Sequence, residues 1–159
     1  MRLAKGVAAA LLAIATGGCG LTASPTDGLQ FQPPAGWQSS PGIMGFMQFW
    51  KSPSNDGEVL MLFRSPKPLK PSDVFSDARL NDTLKGATIE SRTNIEICGN
   101  QPATYFRARG SSSRGNDERV EIVITTLHGA GYLAMYVRPL NAPGNPSALA
   151  ALREVCTKP

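Results

Sequence analysis

Two runs dense in branched and aromatic side chains, 119–127 and 132–138, flank the short sequence His128-Gly129-Ala130-Gly131. Such side chains suit a pleated surface, and a glycine-bearing stretch between two such runs closes a hairpin. A chain with this hairpin has to build a sheet around it, so the other segments are read as partners or covers of that sheet. A second hairpin is predicted from the aromatic and apolar run 45–51, the turn residues Pro53, Asn55, Asp56 and Gly57, and the apolar run 58–64.

In 89–97 the odd positions are Ile89, Ser91, Thr93, Ile95 and Ile97, while Glu90, Arg92, Asn94 and Glu96 fall between them. That alternation predicts a strand with one wet face. Cys98-Gly99-Asn100-Gln101-Pro102 turns the chain, 103–109 returns as a strand, and 111–117 is a polar loop. Nearer the start, 29–32 is expected as a brief edge strand stopped by Pro33-Pro34-Ala35-Gly36, with Trp37 as an apolar anchor.

Helices are expected in two places. After the extended connector Pro66-Lys67-Pro68-Leu69-Lys70-Pro71, Ser72 or Asp73 can cap a helix in which Val74, Phe75, Ala78 and Leu84 share much of one face and Gly86 is the stop. Near the end, Asn145 can cap a helix with Pro146 at its first position, placing Leu149, Leu152 and Cys156 on one face. The order predicts an α+β domain: a mostly antiparallel sheet of about six or seven strands covered by two helices.

The first 18 residues read as a signal peptide. Arg2 and Lys5 form a positive start, and 6–15 is an uncharged apolar run, too short to span a bilayer, which takes about 20 residues. Thr16-Gly17-Gly18-Cys19 resembles the bacterial lipobox, which implies that the Cys19 thiol is acylated and the chain cut before it; Thr16 departs from the usual aliphatic residue. The alternative is a plain secretory signal cut after Gly18 or near Ala23. On the lipoprotein reading, 19–27 is a tether and 28–159 a single domain, held to the membrane through Cys19. Gly20 in second position implies, in a Gram-negative cell, the outer membrane facing the periplasm.

Export also governs the other cysteines. With Cys19 assigned to lipid, Cys98 and Cys156 remain, an even pair in an oxidising compartment, and a disulfide between them is expected. Two buried free thiols are the alternative. One histidine and two distant cysteines do not supply four metal ligands, so neither metal nor cofactor is expected. Arg2 and Lys5 account for two of the 16 basic residues, leaving 14 against 12 acidic ones beyond the leader, a net of +2. With no concentrated basic stripe, nucleic acid is not an expected partner.

Taken with Phe31-Gln32-Pro33-Pro34-Ala35-Gly36-Trp37 opening the domain, the hairpin after it, the proline-bounded helix, the meander and the closing helix, the chain resembles the PsbP/DcrB-like α/β sandwich over most of 28–156. That resemblance implies a non-catalytic accessory or binding module and brings no catalytic residue set with it.

Familiar chemistry is hard to find. Gly110-Ser111-Ser112-Ser113-Arg114-Gly115 has the wrong spacing for a serine nucleophile elbow and joins two strands. His128 sits in a turn, where an exposed polar residue is the simpler reading. Asp73 and Asp77 are four apart, which a solvated first helical turn explains. Asn81-Asp82-Thr83 matches a glycosylation acceptor inside a predicted helix, where coincidence is the simpler reading. Trp37, Met44, Phe46, Met47, Phe49 and Trp50 are read as core; several of them exposed together would mark a binding surface instead. The expected function is a lipid-anchored accessory or binding protein of the cell envelope, its partner an envelope protein or a small ligand. The alternatives are a small secreted hydrolase with an unrecognised site and a structural envelope protein.

Overall fold

The computed structural model describes residues 24–42, 46–54, 56–74 and 85–159. Among the described residues seven strands form one open sheet: β1 (Gln38–Pro41), β2 (Met47–Lys51), β3 (Val59–Ser65), β4 (Lys85–Ile97), β5 (Gln101–Ser111), β6 (Asp117–Leu127) and β7 (Ala130–Pro139). Their order across the sheet is β1-β2-β3-β7-β6-β5-β4, and every neighbouring pair is antiparallel. Two meanders, β1 to β3 and β4 to β7, therefore meet where β7 pairs with β3.

The β6–β7 hairpin is tighter than its sequence implies. Leu127 pairs with Ala130, so the turn is only His128-Gly129, at φ 48° and 80°. Two successive left-handed residues give a turn whose twist matches the strands. Ala130 and Gly131, expected in the turn, belong to β7 instead. Gly131 has its own reason to lack a side chain, because a Cβ there would lie 2.6 Å from both Leu69 N and Lys67 O. The proline-rich connector crosses the sheet at that point, fastened by Gly131 N–H donating to Lys67 O at 3.0 Å.

Other expectations shift as well. Strand β1 has no counterpart in the sequence reading, and 29–32 makes a single bridge, Leu29 to Thr157, rather than an edge strand. The tether expected as far as Asp27 is folded from Ser24 on: Asp27 N donates to Ser24 O, Ser24 Oγ donates to Gln48 Oε1, and Pro25 is buried. The folded domain thus reaches back past Gly28. Residues 1–18 and Cys19 lie outside the described residues.

α1 is Pro71–Val74, a single turn, and Phe75, Ala78 and Leu84 of the expected helix face lie outside the described residues. Gly86 is left-handed, φ 64°, but it lies within β4. α2 (Pro146–Leu152) begins as expected, with the Asn145 side chain accepting from Ser147 N and Ala148 N. It stops before Cys156, since Arg153 leaves helical geometry and its N–H turns back to Ala150 and Ala151. Cys156 lies in the tail beyond the helix.

Apolar side chains fill both faces of the sheet. On the α2 side, Leu60, Leu62, Val123, Ala134 and Tyr136 pack with Ala148, Ala151, Leu152 and Val155, all at most 1% exposed. Phe31 closes this core against Trp50 at 5.3 Å between ring centroids. The opposite face holds Phe106, Val120, Ile122, Ile124 and Leu133, with Leu69 of the connector against it. The dense apolar set near β2 is divided between these cores: Trp50 is buried, Trp37, Met47 and Phe49 are partly buried, Phe46 is exposed, and Met44 lies outside the described residues.

Cys98 and Cys156 form a disulfide, with 6.4 Å between Cα atoms and a sequence separation of 58. It ties the β4–β5 turn to the tail that follows α2. In the chain-entropy account a loop of that length contributes about 4 kcal/mol. Replacing both cysteines by serine is expected to lower the unfolding free energy by up to about that amount in urea titration. An unchanged midpoint would show that the tail is held without the bond.

Candidate functional site

Strands β5, β6 and β7 turn alternate side chains toward α2, and at the Asp117 end of β6 these are charged. The register sets Arg107 opposite Glu121 and Glu121 opposite Tyr136. Two residues further along, Arg109 faces Arg119 and Arg119 faces Arg138. Three arginines thus stand side by side, an arrangement that repels unless negative charge lies among them.

Glu121 and Glu90 supply that charge. Glu121, 3% exposed, accepts from Arg138 Nη2 at 3.1 Å, and the same Oε1 is 3.6 Å from Arg107 Nε. Glu90 is delivered by an irregularity in the β4–β5 pairing between Ile89 and Ser91, a local break in register that can re-aim a side chain. Its carboxylate is 3.2 Å from Arg119, 3.9 Å from Arg109 and 4.0 Å from Arg107. Two donors of Arg138 are answered, Nη2 by Glu121 and Nη1 by the carbonyl of Ala142. The Nε atoms of Arg107, Arg119 and Arg138 are nevertheless shielded from water and make no hydrogen bond, that of Arg107 having only the longer ionic contacts to Glu121 and Glu90.

Beside this charged floor a cavity of about 400 Å³ opens between the sheet and α2. Tyr105, Arg107, Glu121, Val123 and Arg138 line it from the sheet, and Gly144, Leu149, Leu152 and Arg153 from the helix side. A side chain at Gly144 would run into Leu149 at 2.8 Å, so the glycine lets the loop before α2 pass close to the helix.

The loop is fixed from below by Tyr136. Its hydroxyl donates to Glu58 Oε1 at 2.7 Å and accepts from Asn145 N at 2.9 Å, linking β3, β7 and the cap of α2. Burial, reinforced by the Glu58 carboxylate, pushes the Tyr136 hydroxyl well above its ordinary value of 10.0, against the opposing pull of the Asn145 N–H. Tyr105 is also raised, first by burial and then by Glu121, with Arg107 opposing.

The residues singled out from sequence are elsewhere. His128 is at the far tip of the β6–β7 hairpin, just past the end of β6 and seven residues beyond Glu121, so about 23 Å away. The serine loop 111–117 is at the other end of the same strand from His128, so the two do not meet. The Asp73 side chain, Asp77 and Asn81 lie outside the described residues. Among the described residues no group of three His, Cys, Asp or Glu is placed to hold a metal ion, and no helix is long and apolar enough to cross a membrane. The charged floor itself was missed, because Arg107, Arg109, Arg119 and Arg138 look scattered until the register aligns them. The available signal was parity: Arg107 with Arg109, and Arg119 with Glu121, stand two apart and share a face.

No protein-family model matches the chain, and no curated protein matches it in sequence. Among solved structures it is similar to a protein from Bacteroides thetaiotaomicron VPI-5482, with 11% identity and a TM-score of 0.52 over 79% of this chain and 43% of that one. Cyanobacterial PsbP from Synechocystis sp. PCC 6803 is similar at 18% identity and a TM-score of 0.49, covering 79% and 85% of the two chains. A Pseudomonas aeruginosa protein of unknown function matches at 14% identity and a TM-score of 0.48, over 80% and 90%. The Bacteroides likeness concerns the fold alone, and this chain spans less than half of that protein.

The raised tyrosines give a testable pH dependence. A folded state that holds its phenolic protons more tightly than the unfolded chain has full stability from this source below pH 10 and loses it as pH rises beyond, through the raised folded values. Melting temperature is expected to fall above pH 10, and Tyr136→Phe to flatten that fall while lowering stability at neutral pH by about 1–3 kcal/mol, since Glu58 loses its donor. An alkaline profile identical in the two proteins would contradict the assignment.

Proposed function

We propose that the chain is an exported, lipid-anchored module of the cell envelope that binds a ligand or partner and does not catalyse a reaction. The observation carrying this reading is the cleft under α2, where the carboxylate of Glu121 is engaged as counter-ion to Arg138 and Arg107. A carboxylate held in that way orients donors for recognition, whereas a general base needs its lone pairs turned to a substrate proton. Support for export comes from Arg2, Lys5, the apolar run 6–15 and the Gly17-Gly18-Cys19 sequence, and from a disulfide that suits an oxidising compartment. The order of strands and helices, with the Phe31 to Trp37 segment at its head, is the reason to place the domain with the PsbP/DcrB-like sandwiches.

The full-length chain expressed in a bacterial envelope tests the proposal. Expected are a membrane-bound product whose mass spectrum begins at an acylated Cys19, release to the soluble fraction by Cys19→Ala, and cross-linking to an envelope component that depends on an intact cleft. An unmodified mature chain beginning elsewhere would remove the anchor. Turnover of a substrate that requires Glu121 would replace binding by catalysis.

A further inference from the structure

The arginine floor has more donors than its own carboxylates answer. Three guanidinium Nε–H groups, from β5, β6 and β7 in turn, are screened from solvent without a hydrogen bond, that of Arg107 keeping only ionic contacts, the nearer at 3.6 Å to Glu121, and a charged donor left so is costly. Arg138 is 5% exposed, its Nε among the unanswered three, and it lines the cavity. The walls of that cavity carry Arg107, Arg138 and Arg153 against the single carboxylate of Glu121. Positive charge and room for a small molecule coincide at one place, and two of the three unbonded Nε groups belong to side chains that line it, Arg107 and Arg138.

We infer that this cleft binds a phosphate-type oxyanion, a phosphomonoester or free phosphate, through Arg107, Arg138 and Arg153, with Arg119 supporting from the neighbouring strand position. A tetrahedral anion offers oxygens in several directions, which suits donors arriving from separate strands and from the end of α2, whereas a carboxylate offers two oxygens in one plane. Glu121 orients the arginines and sets an upper limit on affinity, because the ligand has to sit beside its charge. Val123, Leu149 and Leu152 leave the remaining wall apolar, so any group carried by the phosphate has to be small and uncharged where it meets them.

This inference rests on the binding-module reading and names its ligand. The test uses the full-length chain in detergent, with inorganic phosphate, glycerol phosphate and acetate as probes and sodium chloride at matched ionic strength as the reference. Phosphate is expected to raise the melting temperature by a few degrees where chloride does not, and titration calorimetry to give a Kd that Arg107→Gln or Arg153→Gln weakens by about tenfold each. The Arg107 side chain is 43% exposed and Arg153 is exposed, and circular dichroism of each variant checks that it is folded before binding is measured. Arg114→Gln, exposed in the 111–117 loop, is the control for net charge and is expected to leave the Kd unchanged. Tighter binding of glycerol phosphate than of phosphate would identify a monoester as the ligand; equal binding would identify the free anion. Equal effects of phosphate and chloride, stronger binding of acetate, or equal weakening by Arg114→Gln would overturn the inference. Loss of envelope cross-linking with phosphate binding intact would count against the accessory role alone.

Discussion

The charged half of this sheet depends on one buried ion pair. Arg138 and Glu121 come from adjacent strands, both nearly inaccessible to water, and Arg138 is the third member of a row of cross-strand arginines. A lone guanidinium at that depth would have to surrender its hydration for nothing, and three like charges in line would push β5, β6 and β7 apart. Glu121 answers two arginines with one oxygen, and Glu90, brought in by the register shift at the edge of β4, answers the outer ones. Such a pair adds little net stability compared with an apolar filling, so its presence speaks for the charges themselves being of use.

The rest of the fold keeps this half of the sheet partly uncovered. α2 lies over the apolar half, where Ala148, Ala151 and Leu152 bury themselves completely, and its position is fixed at both ends. At the start, Asn145 caps the helix with its side chain while its backbone N–H reaches the Tyr136 hydroxyl. At the finish, the tail is bonded covalently to the β4–β5 turn and pairs with the N-terminal segment through Leu29 and Thr157. A seven-residue helix has little stability of its own, so these outside attachments decide where it sits and how wide the cleft beside it is.

What could be read from sequence follows the range of each signal. Local signals served well: the glycine-bearing turns, the alternation in β4, the Asn145-Pro146 helix start and the even pair of cysteines all act within a few residues or within the compartment's redox chemistry. Strand β1 escaped because Gln38, Ser39, Ser40 and Pro41 have no apolar alternation; they pair with β2 at the sheet edge without contributing to the core. The first residues of β4 escaped because Gly86 resembles a helix stop. The arginine row was illegible for a deeper reason. Its members come from three strands, and only the pairing register, fixed by the lengths of the turns at 112–116 and 128–129, brings them into line.

A double-mutant cycle between Glu121 and Arg138 tests this account most directly, with Glu121→Gln, Arg138→Met and the combined variant compared by urea unfolding. If each charge is buried for the sake of the other, the two single variants lose more than the combination does, with a coupling of about 1–3 kcal/mol. Strictly additive losses would mean that the two side chains do not depend on each other, and the charged floor would then need a different explanation.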